Sequence, residues 1–174
     1  MNKNLYPVSN NEEAYKAFRL GVICMEDDLP REAIEHFTLA AKLDRKTYSS
    51  WSEIYSVQCH IARAKIMSDH GPAASGLKYI DEALKICNKQ PEVYYCQGMI
   101  HVRQGETDKA QKSFEQAIVY SEYHANSHFQ LASLYSEQGD DEKAEEAFEL
   151  AVNCDENLYD YVPTKYRSNI MFWC

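Results

Sequence analysis

Two neighbouring stretches of this chain, 91–124 and 125–157, carry one pattern of small and apolar residues at a fixed spacing. Gly98, Gly105, Ala110, Phe114 and Ala117 stand opposite Ala132, Gly139, Ala144, Phe148 and Ala151, each pair 34 residues apart. A period of this size belongs to stacked supersecondary units that bury a face only against their neighbours. The pattern therefore constrains architecture tightly and function only indirectly.

Each copy reads as a pair of helices. Pro91 opens the first, where its missing N–H is harmless, and the Gly105 turn closes it. Thr107 is placed to cap the second helix, which carries Ala110, Phe114, Ala117 and Ile118 at helical spacing. Small residues at Gly98, Ala110 and Ala117 let antiparallel helices approach closely while Phe114 fills the space between them. Leu131, Ala132 and Tyr135, the Gly139 turn, then Ala144, Phe148 and Ala151 repeat the logic.

This pattern resembles the tetratricopeptide repeat, a 34-residue helix-turn-helix with a Gly or Ala at the helix crossing and an Ala and an aromatic on the second helix. Leu20, Gly21, Ala33, Phe37 and Ala40 fit the same template over 14–47. Trp51, Ile54 and Tyr55, then Gly76, Ile80 and Ala83, fit it over 48–90, in a unit about nine residues too long for the ordinary repeat. The resemblance spans roughly 14–157 and implies an all-α, right-handed superhelical solenoid of antiparallel helix pairs. The expected organisation is a lead (1–13), four repeats (14–47, 48–90, 91–124, 125–157) and a C-terminal capping helix with an aromatic tail (158–174).

Along the chain, Ser9 and Glu12 are spaced as a capping box for the first helix. That helix has two apolar stripes: Ala17, Leu20, Gly21 and Cys24 toward its partner, and Tyr15, Phe18, Val22 and Met25 on another side. A helix apolar on two sides needs cover on both. The second helix, after the Asp27-Asp28-Leu29-Pro30 turn, turns Ala33, Ile34, Phe37, Ala40 and Ala41 inward. Thr47 to Ser50 supplies candidate caps for a third helix that runs long, to about Ser68, before His70-Gly71-Pro72 stops it. Leu77, Ile80, Ala83, Leu84 and Cys87 mark the fourth. Pro163 is placed to start a last helix with Tyr166, Ile170 and Trp173 on one face, since a solenoid's final repeat needs a cover.

Composition narrows the function classes. A net charge of −9 disfavours nucleic acid and anionic membranes, which both select basic surfaces, and mildly favours basic partners. No apolar run reaches transmembrane length, and the first ten residues do not read as a secretory signal. The six cysteines, Cys24, Cys59, Cys87, Cys96, Cys154 and Cys174, show no CxxC spacing and fall mostly where a small apolar residue would serve. They read as reduced thiols of a cytoplasmic protein.

In repeats of the family this chain resembles, first-helix residues one face away from the packing stripe line the inner wall. Carried over, that wall holds Tyr15, Phe18, Val22 and Met25; Ser52, Ser56, Cys59 and His60; Glu92, Tyr95, Met99, Val102 and Arg103; and Asn126, Phe129, Ser133 and Glu137. Its apolar content suits an extended peptide or an amphipathic helix from another protein. It equally suits cover by the chain's own residues 1–8 or by its C-terminal aromatics.

Other chemistries find less support. The carboxylate clamp that some tetratricopeptide proteins use on chaperone C-termini needs Lys, Asn and Arg, where this chain has Phe18, Val22 and Arg103. Cys59-His60 and Cys96 with His101 lack the fuller spacing of a zinc site. There is no phosphate loop, nucleophile elbow, HExxH or cofactor motif, and Glu145-Glu146 and Asp140-Asp141 read as solvated charge. The expected function is a non-catalytic interaction module, an adaptor or small chaperone. The alternative is a self-assembling scaffold whose groove is filled by its own termini or a second copy. Size, acidity and repeats are similar to those of tetratricopeptide secretion chaperones.

Overall fold

The computed structural model describes residues 6–168 and 170, and divides the chain into two compact units, residues 1–88 and 89–174. Among the described residues, nine α-helices and two short 3-10 turns carry the fold.

The first unit begins with α1 (Glu12–Glu26), α2 (Pro30–Leu43) and α3 (Arg45–His70), packed in sequence as antiparallel neighbours. A 3-10 turn (Ala73–Gly76) then leads to α4 (Leu77–Ile86). At 26 residues, α3 is the long helix of the set. Its extra length is tied to α4 by Arg63, whose guanidinium donates to the Tyr79 hydroxyl at 3.1 Å and lies over that ring. Gly71 and Pro72 end the helix, because proline removes a donor and restricts the residue before it.

Three helix starts differ from the sequence reading. Asn11, not Ser9, caps α1, its side chain accepting from the Ala14 N–H at 3.1 Å. The Ser9 hydroxyl instead donates to Asp44. Asp44 itself caps α3, accepting from the Thr47 N–H at 3.2 Å, so Thr47 lies inside the helix. Thr107 is likewise the first helical residue of its helix, with Glu106 at the cap position. At the first two starts a side-chain acceptor within a few residues caps the helix, with the Ser9 hydroxyl bound to Asp44, whereas the Glu106 side chain makes no cap bond and is held by His101 and Lys109.

The core of this unit is aromatic. Phe18 contacts Phe37, Tyr48, Trp51 and Tyr55, with centroid separations of 4.9 to 6.3 Å. Gly21 makes the crossing of α1 and α2 possible, since a Cβ there would lie 2.7 Å from the Phe37 ring. Leu20, expected to pack on α2, is 46% exposed, because the turn of the helix that points Gly21 inward swings its predecessor about 100° away. Ile54 is exposed for the same reason, while Trp51 and Tyr55 on its two sides pack against the core.

The second unit holds α5 (Pro91–Arg103), α6 (Thr107–Tyr120), α7 (Ala125–Gln138) and α8 (Asp141–Cys154). Gly98 plays the part of Gly21: a Cβ there would lie 2.5 Å from the Phe114 ring. Three hairpin turns of the repeats each contain one left-handed residue, Asp28 (φ 56°), Gly105 (φ 71°) or Gly139 (φ 79°). Glycine adopts this region freely, and Asp is among the few other residues that tolerate it.

Beyond α8 come a 3-10 turn (Glu156–Tyr161) and α9 (Thr164–Arg167), a helix that starts just after Pro163 as read from the sequence and is one turn long among the described residues. Val162, Tyr166 and Ile170 nonetheless bury themselves on Ala132, Phe148 and Val152. The Tyr166 hydroxyl meets Ser136 and Asp141, and Lys165 pairs with Asp141 at 2.7 Å. Trp173 lies outside the described residues.

Candidate functional site

The residues expected along the inner wall divide sharply between the two units. In the first unit they are mostly interior. Phe18 and Cys59 are wholly buried, and Val22, Ser52 and Ser56 nearly so. Phe18 is sealed on one side by Tyr48 and on another by Tyr6, which meets it edge-on at 6.0 Å. The Tyr48 hydroxyl donates to the Pro7 carbonyl at 3.1 Å and fastens the lead in place. Cys59 meets the Met25 thioether at 3.0 Å, and burial pushes its thiol from 9.0 up to about 12. Phe18, Val22, Ser52, Ser56 and Cys59 are therefore core residues and not a docking surface. Tyr15, Met25 and His60 keep partial exposure. Burial, with the nearby Arg63 cation, holds His60 below its ordinary range.

In the second unit the same register gives a different surface. Tyr95 and Met99 on α5 and Phe129 on α7 are half-buried, each with its base in the core. Tyr95 leans on Phe114 at 5.9 Å and on the His124 ring at 5.4 Å. Phe129 meets Phe148 edge to face at 5.2 Å. Desolvation raises the Tyr95 hydroxyl above its ordinary value, with Glu92 adding to the shift. Val102 and Arg103 lie at the solvent edge, Val102 at 37% exposure. Ser133 turns its hydroxyl back onto the Phe129 carbonyl at 3.0 Å, while Asn126 and Glu137 are exposed. The result is a set of half-buried apolar side chains, each packed against the core and each keeping partial exposure.

Next to Tyr95 lies a constellation that no sequence motif announced and that resembles a hydrolytic triad. His124 Nδ1 lies 2.8 Å from the Ser127 hydroxyl, and its Nε2 lies 3.5 Å from a Glu92 carboxylate oxygen. Ser127 is wholly buried, however, and a nucleophile must reach its substrate. His124 instead caps α7, its Nδ1 accepting from the Ser127 N–H at 3.3 Å. The arrangement fastens the junction between α6 and α7.

The cysteines and histidines named from the sequence do not converge. Cys96 is buried and His101 Nδ1 is engaged by Glu106 at 2.7 Å. Among the described residues no three His, Cys, Asp or Glu side chains gather into a metal-sized group, and Cys24, Cys59, Cys87, Cys96 and Cys154 are thiols outside any disulfide. No helix of the described residues is long and apolar enough to cross a membrane.

Residues 89–157 match the family model described as tetratricopeptide repeat. Over 124 residues the chain is 27% identical to the photosystem I assembly protein Ycf3 of Cyanophora paradoxa, a stretch covering 67% of this chain and 68% of that protein. Among solved structures, MamA residues 41-end from Desulfovibrio magneticus RS-1 superposes with a TM-score of 0.58 at 18% identity, over 88% of this chain and 81% of that one. YrrB, described as a TPR protein with an unusual peptide-binding site, superposes with a TM-score of 0.53 at 14% identity, over 85% and 89%. Residues 89–157 are thus tetratricopeptide repeats, and the chain has the all-α fold of the tetratricopeptide-repeat proteins.

Proposed function

We propose that this chain is a non-catalytic protein-interaction module, an adaptor or small chaperone that holds an extended or helical segment of another protein on the first-helix face of residues 89–157. The observation that carries this reading is the strip formed by Tyr95, Met99 and Phe129, each of which keeps partial exposure although it packs against the core. Such side chains are ordered before a ligand arrives, so burying them further yields about 25 cal/mol per Å² with little additional loss of freedom. The peptide-binding site named for YrrB and the assembly role named for Ycf3 lean the same way. The reading keeps the chain in the cytoplasm, in accord with its thiols outside any disulfide.

A photo-crosslinking side chain at Val102 tests it. Capture of a partner that Met99→Asp removes, and that Val119→Asp on α6 leaves intact, is the expected result. Capture indifferent to Met99→Asp sinks the reading.

A second reading, self-assembly, is favoured by the side of α1 bearing Tyr15, Leu20 and Ile23, which borders a shallow cleft of about 400 Å³. Sedimentation of the wild type and of Leu20→Lys decides it: an oligomer dissolved by that change supports assembly through α1.

A further inference from the structure

The net charge is distributed very unevenly between the two units. Residues 1–88 carry eleven Lys and Arg against twelve Asp and Glu; residues 89–174 carry seven against fifteen. The second unit thus holds a net −8 of the chain's −9. Its basic side chains are themselves committed in several places: Lys109 to Glu106, Lys143 to Asp140, Lys165 to Asp141, and Arg167 to the carbonyls of Val162 and Asp160.

This unit also has a hollow lined by residues other than Tyr95, Met99, Val102 and Phe129 of the first-helix strip. A cavity of about 370 Å³ opens between the C-terminal parts of α6 and α8, bordered by Ile118, Glu122, Tyr123, His128, Leu150 and Cys154 among others. Leu150 is 45% exposed and Tyr123 76%, unusual for large side chains beside an opening with an apolar floor. His128 also borders it, its Nε2 held on the Glu122 carbonyl at 2.8 Å. Glu122 supplies a carboxylate to the lining. The Tyr123 hydroxyl is raised by its hydrogen bond to the Glu122 carboxylate. Burial and Glu122 raise the Cys154 thiol. Farther along the same two helices, Glu115 and Glu146 both act on the Tyr135 hydroxyl, whose rise is due mainly to burial. Lys143 partly offsets them there and is itself bound to Asp140 at 2.6 Å.

The largely apolar lining asks for an aliphatic side chain, while Glu122 beside it and the unit's net charge of −8 ask for cations next to that side chain. We propose that the α6–α8 hollow is a second docking surface, distinct from the first-helix strip, for a protein segment that presents one leucine-sized residue flanked by lysine or arginine. The unit's negative charge repels nucleic acid and, with Glu122 at the hollow, discriminates against acidic or neutral segments that carry the same apolar anchor. The contribution of the charges weakens with salt, whereas that of the apolar anchor persists.

The test uses the full chain and fluorescein-labelled peptides read by anisotropy: Lys-Lys-Leu-Lys-Lys, with Lys-Lys-Ser-Lys-Lys and Glu-Glu-Leu-Glu-Glu as comparisons. Expected is binding of the first that weakens about tenfold or more on Leu150→Ser and on Glu122→Lys, in line with removing a buried anchor or reversing a rim charge. Val102→Asp leaves it unchanged, which keeps this surface separable from the first-helix strip. Equal binding of the leucine and serine peptides overturns the proposal, because it reduces the effect to diffuse attraction. Absence of binding, or loss of binding on Val102→Asp but not on Leu150→Ser, overturns it as well. Sedimentation of the same variants shows whether a second copy fills the hollow: a wild-type dimer broken by Leu150→Ser overturns it in favour of self-association.

Discussion

Phe18 stacks on Tyr48 with ring centroids 4.9 Å apart and planes 20° from parallel, and neither residue retains solvent exposure. The pair joins α1 to α3 at the centre of the first unit. Replacing Phe18 by Ala leaves a cavity among aromatic rings with little freedom to collapse, and is expected to lower stability by about 3–5 kcal/mol. Trp51 lies edge-on to Phe18 at 6.3 Å, so its fluorescence reports urea unfolding. An unchanged midpoint would return Phe18 to an open wall.

Gly98 and Gly139 differ in why they are glycine. At Gly98 the obstacle is the Phe114 ring, 2.5 Å from where a Cβ would stand, whereas at Gly139 a Cβ meets nothing within 4 Å and only the φ of 79° resists. Gly98→Ala is expected to cost about 1–3 kcal/mol by overpacking, and Phe114→Leu in the same chain recovers part of the loss. Gly139→Ala is expected to cost about 1–2 kcal/mol, the ordinary penalty for a left-handed alanine, with no recovery from any neighbouring truncation. Thermal unfolding of the single and double variants separates the two causes.

Cys59 ties stability to alkaline pH. Its thiol ionises near 12 in the folded chain against an ordinary 9.0, so between these values the unfolded chain has lost a proton that the folded chain keeps. Stability is then full below pH 9 and declines as pH rises toward 12, by at most about 1.4 kcal/mol per pH unit. Urea midpoints at pH 8 and pH 10 should fall farther apart for the wild type than for Cys59→Ala. Equal differences would mean that the tyrosines account for the decline.

Asp141 makes the C-terminal turn sensitive to acid. Hydrogen bonds from Lys165 and then Tyr166 hold its carboxyl below the ordinary 3.8, so its contribution is present above that value and is lost as pH falls through the lower, folded one. Protection of the amides over 164–167, taken relative to their intrinsic exchange rates, should fall between pH 5 and pH 3, and Asp141→Asn should lower it already at pH 5. Exchange in that segment that ignores both changes would sever the turn from Asp141.

The hairpins of residues 89–157 were legible because what they require is local: a glycine at each turn and a small residue opposite each phenylalanine, repeated at one spacing. The burial of the first-unit wall was only partly legible, because it depends on partners far along the chain. Cover of Phe18 by the lead was one of the two readings open in the sequence, and Tyr6 supplies it, but nothing near Phe18 announces that Tyr48 will stack on its other side. The same applies at the caps, where Ser9 is engaged by Asp44, 35 residues away. The α6–α8 hollow was hidden for another reason: Ile118, Tyr123 and Leu150 stand among glutamates, so no apolar run marks them.

The uneven charge of the two units also shapes encounters before any contact is made. A cationic chain diffusing nearby feels a field centred on residues 89–174, and its approach is biased toward that half at a rate that drops steeply as ionic strength rises. The nearly neutral half exerts no comparable pull, so orientation is selected at long range and the apolar surfaces have only to secure a visitor that has already arrived facing them.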